Sequence, residues 1–181
     1  MPSHDLSSVL DEYLVVQSQL GDANAFSELI DRWHPRLLRH AYCLTRDYDA
    51  ACDVVQESWM GVLGRLRSLR DPVRFRAWIL RIVSNKAHDW VRRERGRRRS
   101  VEQAEVVAEH GSSTPDGDAV HRIRAGLEEL ERGQRLVLSW FYLEEMSVRE
   151  IAEALSVPVG TVKSRLYHAR NALRSRLEEI P

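Results

Sequence analysis

Two groups of polar and basic residues recur at helical spacing in this chain, and the chemistry they could perform is recognition of a polyanion. Arg74, Arg81, Asn85, His88 and Arg92 follow at offsets of 7, 11, 14 and 18. At about 100° per residue these offsets fall on one stripe of a helix. Thr161, Lys163, Ser164, Tyr167, His168, Asn171 and Arg174 form a second face near the C-terminus, flanked by Arg165 and Arg170. Arginine and lysine neutralise phosphates, while Asn, His, Ser and Thr hydrogen-bond to base edges. All but two of the 27 basic residues are arginines, whose forked donors suit both tasks.

Bond-making chemistry lacks comparable support. The sequence has no Walker A loop and no nucleophile with an evident base. Its carboxylates are scattered over helical faces rather than paired beside a Gly-rich turn. No enzyme activity and no cofactor are therefore expected. His40 and Cys43 share a helix face and Cys52 follows, but a convincing fourth ligand is missing. Core positions are the expectation for these three, with no metal site. Two cysteines make no disulfide framework, which favours a reducing, cytoplasmic compartment. The N-terminal MPSHDLSSVLDEYL is acidic and does not read as a secretory signal. No apolar run approaches the roughly 18 residues of a membrane span, so no membrane insertion is expected.

The elements that must carry these faces are helical throughout, because strand-like alternation is nearly absent. One helix is expected from about Asp22 to Leu44, with Phe26, Leu29, Ile30, Trp33, Leu37 and Leu38 at helical spacing and Pro35 bending or interrupting it. A second is expected over 48–69, and a third from Asp71-Pro72 to about Arg95. Residues 96–118 contain Gly, Pro, Ser and Thr but no aromatic residue, and read as a linker. Helices resume near Asp116, with breaks near Gly133, Glu144–Met146 and Ser156–Pro158. The expected architecture is all-α: two small helical domains joined by a flexible linker, the second a helix-turn-helix. The boundaries expected are an N-terminal arm at 1–21, a first domain at 22–96, a linker at 97–118 and a second domain at 119–181.

The helix-turn-helix expectation rests on cap, turn and stripe together. Ser147 and Glu150 have the spacing of a capping box. Ile151, Ala152 and Leu155 make a buried face, and Ser156-Val157-Pro158 makes the turn. Val162, Leu166, Ala169, Leu173 and Leu177 lie within about 80° of arc, opposite the polar face. Such a face on the second helix suits a major groove. Arg165 and Arg170 beside the stripe are expected to clamp phosphates.

The formal net charge is zero, yet it is unevenly spread. Residues 1–63 and 100–160 are acidic, whereas 64–99 and 161–181 are basic. Two surfaces for a polyanion, separated by surfaces kept off it, are implied. On the helix over 48–69, Val55, Trp59, Val62, Leu63 and Leu66 are expected to face inward. Asp53, Gln56, Glu57 and Met60 cluster on the other side. Acids, an amide and a Met beside a basic helix resemble a protein-docking surface. From spacing alone, a solvated acidic face is the simpler reading.

Three stretches resemble the extracytoplasmic-function sigma factors of bacterial RNA polymerase. DAACDVVQESWMGVL resembles their polymerase-docking helix through Asp53, Gln56 and Glu57, with Cys52 where the family often has Glu. FRAWILRIVSNKAHDWVRR resembles the helix that reads and opens the −10 element, through Trp78, Asn85, Asp89, Arg92 and Arg93. GTVKSRLYHARNALR resembles the −35-reading helix through Gly160, Thr161, Val162, Lys163, Ser164, Arg165, Ala169 and Arg170. The resemblance spans about Asp22 to Leu177. It implies core RNA polymerase and promoter DNA as partners, together with an anti-sigma factor. It further implies that Ser68-Leu69-Arg70-Asp71 and the helix after it, with Asn85 foremost, receive an unstacked base during melting. A helix-turn-helix regulator that never docks on polymerase is the alternative, and it would have no use for the Asp53/Gln56/Glu57 face.

Overall fold

The computed structural model describes residues 6–102 and 130–178. Among the described residues every regular element is helical: α1 (Leu6–Leu20), α2 (Ala23–Thr45), α3 (Tyr48–Arg65), α4 (Phe75–Glu102), α5 (Arg132–Leu138), α6 (Val148–Leu155) and α7 (Val159–Glu178). Contacts divide the chain into two compact units between Val91 and Arg92. The chain is all-α, as expected.

Local chemistry fixes where the first unit's helices begin and end. Asp22 caps α2, its carboxylate accepting from the amides of Asn24 (2.8 Å) and Ala25 (3.1 Å). Arg46 closes α2 in a left-handed conformation, at φ 64°. Asp47 then caps α3 through the Ala50 amide at 2.9 Å. Short 3-10 turns at Leu66–Ser68 and Pro72–Arg74 bridge α3 and α4. Asp71 caps the second of these, accepting from the Val73 amide at 3.2 Å.

The core of this unit is built on aromatic rings. Trp33 of α2 meets Phe75 of α4 edge-on at 5.6 Å, and Phe26 meets Trp59 of α3 at 6.0 Å. Leu29, Leu37, Ala41, Val55, Val62, Ile79, Leu80 and Val83 are buried around them. Deep in this core His40 has no exposed surface and shares a 2.8 Å hydrogen bond with Ser84. The Ser84 hydroxyl donates to the Leu80 carbonyl at 2.7 Å, so it must accept from His40 Nε2. Burial, reinforced by the charge of His88, pushes the His40 pKa down to about 3.

Four expectations change here. Within the expected arm, Leu6–Leu20 form α1, which packs on α2 with Leu14 and Val15 buried, and Asp11 pairs with Arg32 at 2.9 Å. Helix α2 runs unbroken through Pro35. Its packed apolar face on both sides of that position outweighs one missing amide donor. Helix α4 passes through Gly96 and continues to Glu102, so residues 97–102 are helical rather than linker. Repeated arginines are good helix formers and carry α4 past one glycine. Leu63 is 67 % exposed and does not face inward. The remainder of the expected linker, and the helix start near Asp116, lie outside the described residues.

The second unit packs α5, α6 and α7 around Trp140, Ile151, Val162, Leu166 and Ala169, all buried. Helix α5 begins at Arg132, beside Gly133 where a break is expected, and a π-helical turn over Ser139–Leu143 follows. The capping box forms as expected: the Ser147 hydroxyl accepts from the Glu150 amide (3.2 Å), and the Glu150 carboxylate accepts from the Ser147 amide (2.7 Å). Helix α6 ends in a Schellman turn, with the Val157 amide on the Ala152 carbonyl (3.0 Å) and the Ser156 amide on Glu153 (3.2 Å). Ser156 takes the left-handed conformation that glycine usually fills, at φ 55°. Pro158 precedes the first residue of α7 and its carbonyl accepts from the Thr161 amide at 2.9 Å.

Candidate nucleic-acid interface

The apolar residues of α7 decide which of its sides meets solvent. Val162, Leu166 and Ala169 are buried and Leu173 is half-buried. Lys163, Ser164, Tyr167, His168, Asn171 and Arg174 are consequently exposed, and Thr161 is half-buried at the first turn. The Tyr167 and His168 rings touch edge-on at 5.5 Å, making one aromatic and hydrogen-bonding patch beside Lys163 and Ser164. The helix-turn-helix presents this surface away from its core, where a groove could receive it.

Arg165 and Arg170, the expected phosphate clamps, also make contacts within their own unit. Arg165 is half-buried and lies over Gly133, where a Cβ would come within 3.3 Å of its Nε. The Arg170 guanidinium sits above Phe141 at 5.3 Å and Tyr142 at 5.7 Å. Both arginines thus pack on the preceding helix and turn of their own unit. Sequence spacing did not reveal this, because the partners lie some 30 residues away in the chain.

Helix α4 carries the other basic stripe. Phe75, Ile79 and Val83 are buried, Trp78, Ile82 and Trp90 half-buried, and Arg81, Asn85, Asp89, Arg92 and Arg93 exposed. Arg74 stands exposed one residue ahead of α4 and pairs with Asp71 at 3.3 Å. His88 departs from the expected stripe: it is half-buried, turned toward the core that holds His40. Beyond the stripe, Arg97 is bidentate to Glu94, both bonds at 3.0 Å, and that hydrogen bonding raises its pKa.

The α3 face expected to dock protein is wholly exposed: Asp53, Gln56, Glu57 and Met60 all point to solvent. Exposed Leu63 follows Met60 by three residues and Gln56 by seven, extending the face with apolar surface. Lys86, next to Asn85 on α4, donates to Glu57 at 3.0 Å and joins this face to the basic stripe.

No cluster of His, Cys, Asp or Glu among the described residues could hold a metal ion. His40 is taken up by Ser84, while Cys43 and Cys52 form no disulfide. No described helix is long and apolar enough to cross a membrane.

Comparison with known proteins falls on the same two halves. A family model for sigma-70 region 2 matches residues 29–97, and one for sigma-70 region 4 matches 121–173, together about two thirds of the chain. The chain is 27 % identical to the ECF RNA polymerase sigma factor SigW of Bacillus subtilis, over 92 % of this chain and 96 % of that protein. It is 28 % identical to the ECF RNA polymerase sigma-E factor of Escherichia coli, over 94 % and 95 % of the two chains. Among solved structures, CnrH in complex with the cytosolic domain of CnrY is similar, with a TM-score of 0.74 and 28 % identity. That match covers 95 % of this chain and 99 % of CnrH. The sigma factor RpoE of Bartonella quintana, solved with the anti-sigma factor NepR, shares the fold at a TM-score of 0.69 and 24 % identity, over 86 % of this chain and 98 % of that one.

Proposed function

This chain belongs to the sigma-70 family, in its extracytoplasmic-function group, and from that premise we propose how its exposed faces divide the work of promoter-specific transcription initiation. The protein is an initiation factor that acts with RNA polymerase and is not itself a catalyst. Helix α3 docks on core polymerase through Asp53, Gln56, Glu57 and Met60. Helix α7 reads the −35 element with Lys163, Ser164, Tyr167, His168 and Asn171, and Arg174 contacts the flanking backbone. Helix α4 reads and opens the −10 element, with Asn85 and Arg81 facing the separated strand and Arg92 and Arg93 on phosphates.

The observation that carries this division is the exposure of the α3 face beside α4, joined by the Lys86–Glu57 ion pair. A DNA-binding regulator without polymerase has no use for that face. Arg165 and Arg170 pack within their own unit, on Gly133 and on the Phe141/Tyr142 rings, and contact flanking phosphates from there. Opening the promoter needs a base taken out of the stack, at a cost of a few kcal/mol. Polymerase and phosphate contacts offset that cost, since the sequence carries no ATPase motif. The protein works in the cytoplasm, where polymerase and promoter are. An anti-sigma factor that covers these faces completes the proposal.

Pull-down of bacterial core RNA polymerase, followed by transcription from randomised promoters, tests the reading. Polymerase binding with initiation from a defined subset of promoters is the expected result. DNA binding with no affinity for polymerase would overturn it in favour of a helix-turn-helix regulator.

A further inference from the structure

Between α3 and α4 the chain turns through Leu66–Ser68, Leu69, Arg70 and Asp71, the loop expected to receive the extruded base. Its side chains point outward: Ser68, Arg70 and Asp71 are exposed. Its backbone is held from the other side. Gln19, near the end of α1, donates from Nε2 to the Leu66 carbonyl at 2.9 Å and to the Leu69 carbonyl at 2.8 Å. The Leu69 amide also donates to Leu66 at 3.0 Å, closing the turn between the two carbonyls. Two carbonyl oxygens can only accept, so the amide nitrogen of Gln19 must face them, and its two hydrogens are both used.

We propose that Gln19 is a positioning residue for promoter opening, fixing the backbone of the 66–71 loop so that the loop meets an extruded base already shaped. The inference rests on the promoter-opening role given to α4 under Proposed function, and on the family resemblance that places an unstacked base at the loop leading into it. A loop ordered in advance loses less conformational entropy when it takes a ligand. Gln19 supplies that order from α1, an element to which neither DNA nor polymerase contact has been assigned. The bond pair is specific to the loop: both acceptors lie in it, 47 and 50 residues from the donor.

The test uses holoenzyme reconstituted from core polymerase and the full chain. Binding is compared on fork-junction DNA carrying the −10 base to be extruded and on the same DNA with an abasic site there. The wild type should prefer the intact base about fivefold or more, the range expected when a base is captured by stacking and hydrogen bonds. Gln19→Ala and Gln19→Glu should bring that preference close to one, since a carboxylate would oppose both carbonyls. Gln19→Lys, which again offers several donors, should restore much of it. Core polymerase affinity and −35 duplex binding should stay within about twofold of wild type.

A Gln19→Glu protein that keeps the full preference would overturn the inference. So would a Lys variant as defective as the Glu variant, or a loss of polymerase binding equal to the loss of base preference. A wild type indifferent to the base would instead remove the loop reading itself, and this inference with it.

Discussion

Lys86 on α4 and Glu57 on α3 form an ion pair at 3.0 Å that ties the helix proposed to dock on polymerase to the helix proposed to meet DNA. The lysine side chain is 33 % exposed and the carboxylate 56 %. A pair so open to water contributes little stability, about 0.5 kcal/mol. Lys86→Ala should therefore lower the urea midpoint only slightly, and Glu57→Ala should do the same. A double-mutant cycle giving more than about 1 kcal/mol of coupling would show the pair to be a structural element.

Met60 and Leu63 make the sharper test of the α3 face. Met60 is 70 % exposed and packs on nothing that its removal would empty. Met60→Asp and Leu63→Asp should leave thermal stability within about 0.5 kcal/mol. Each should weaken core polymerase binding at least about tenfold, as expected when a charge enters an apolar contact. Unchanged polymerase affinity in both variants would move the docking site elsewhere.

The two helices proposed to meet DNA should fail in different ways. Lys163→Ala should weaken −35 duplex binding and reduce the slope of log affinity against log salt by about one. Asn85→Ala should leave duplex binding alone and depress permanganate reactivity of the −10 thymines. Equal loss of duplex binding in both variants would contradict the division.

Burial of His40 predicts a pH dependence of the first unit. Its pKa is near 3 when folded and about 6.5 when unfolded, so the unfolded chain takes up the proton first. Stability is full above pH 6.5 and falls by about 1.4 kcal/mol per unit as pH drops below it, until His40 itself titrates. His40→Gln should flatten that slope between pH 6.5 and 5 in denaturant titrations. An unchanged slope would assign the effect to other groups.

Ser156 gives a prediction of opposite sign. A serine held at φ 55° bears a conformational cost that glycine avoids. Ser156→Gly should stabilise the second unit by about 0.5–1 kcal/mol, read from its unfolding midpoint. A loss of stability would show that the serine side chain makes a contact worth more than the relief.

The helix-turn-helix was legible because each of its signals is local. Ser147 and Glu150 sit three apart, Ser156 to Pro158 stop one helix and start the next, and Val162, Leu166 and Ala169 set the buried side of α7. The exposed faces of α3 and most of the α4 stripe follow from the same 3.6-residue period. Leu63 lies at the edge of the buried arc, where periodicity alone does not decide between core and solvent. His88, half-buried, lies at the same kind of edge on α4.

The sequence by itself determined that the chain is helical, which sides of α3, α4 and α7 are polar, and that the basic sides of α4 and α7 suit a polyanion. Such conclusions depend on periodicity, caps and side-chain chemistry, which act over a few residues. The tertiary structure alone decided that α1 belongs to the first unit and that Gln19 reaches the loop 66–71. It alone seated Arg165 on Gly133, Arg170 on Phe141 and Tyr142, and His40 on Ser84. Each of these joins residues some 30 to 50 positions apart. No local pattern records such a pairing; it exists only once the buried faces have packed and brought the two ends together.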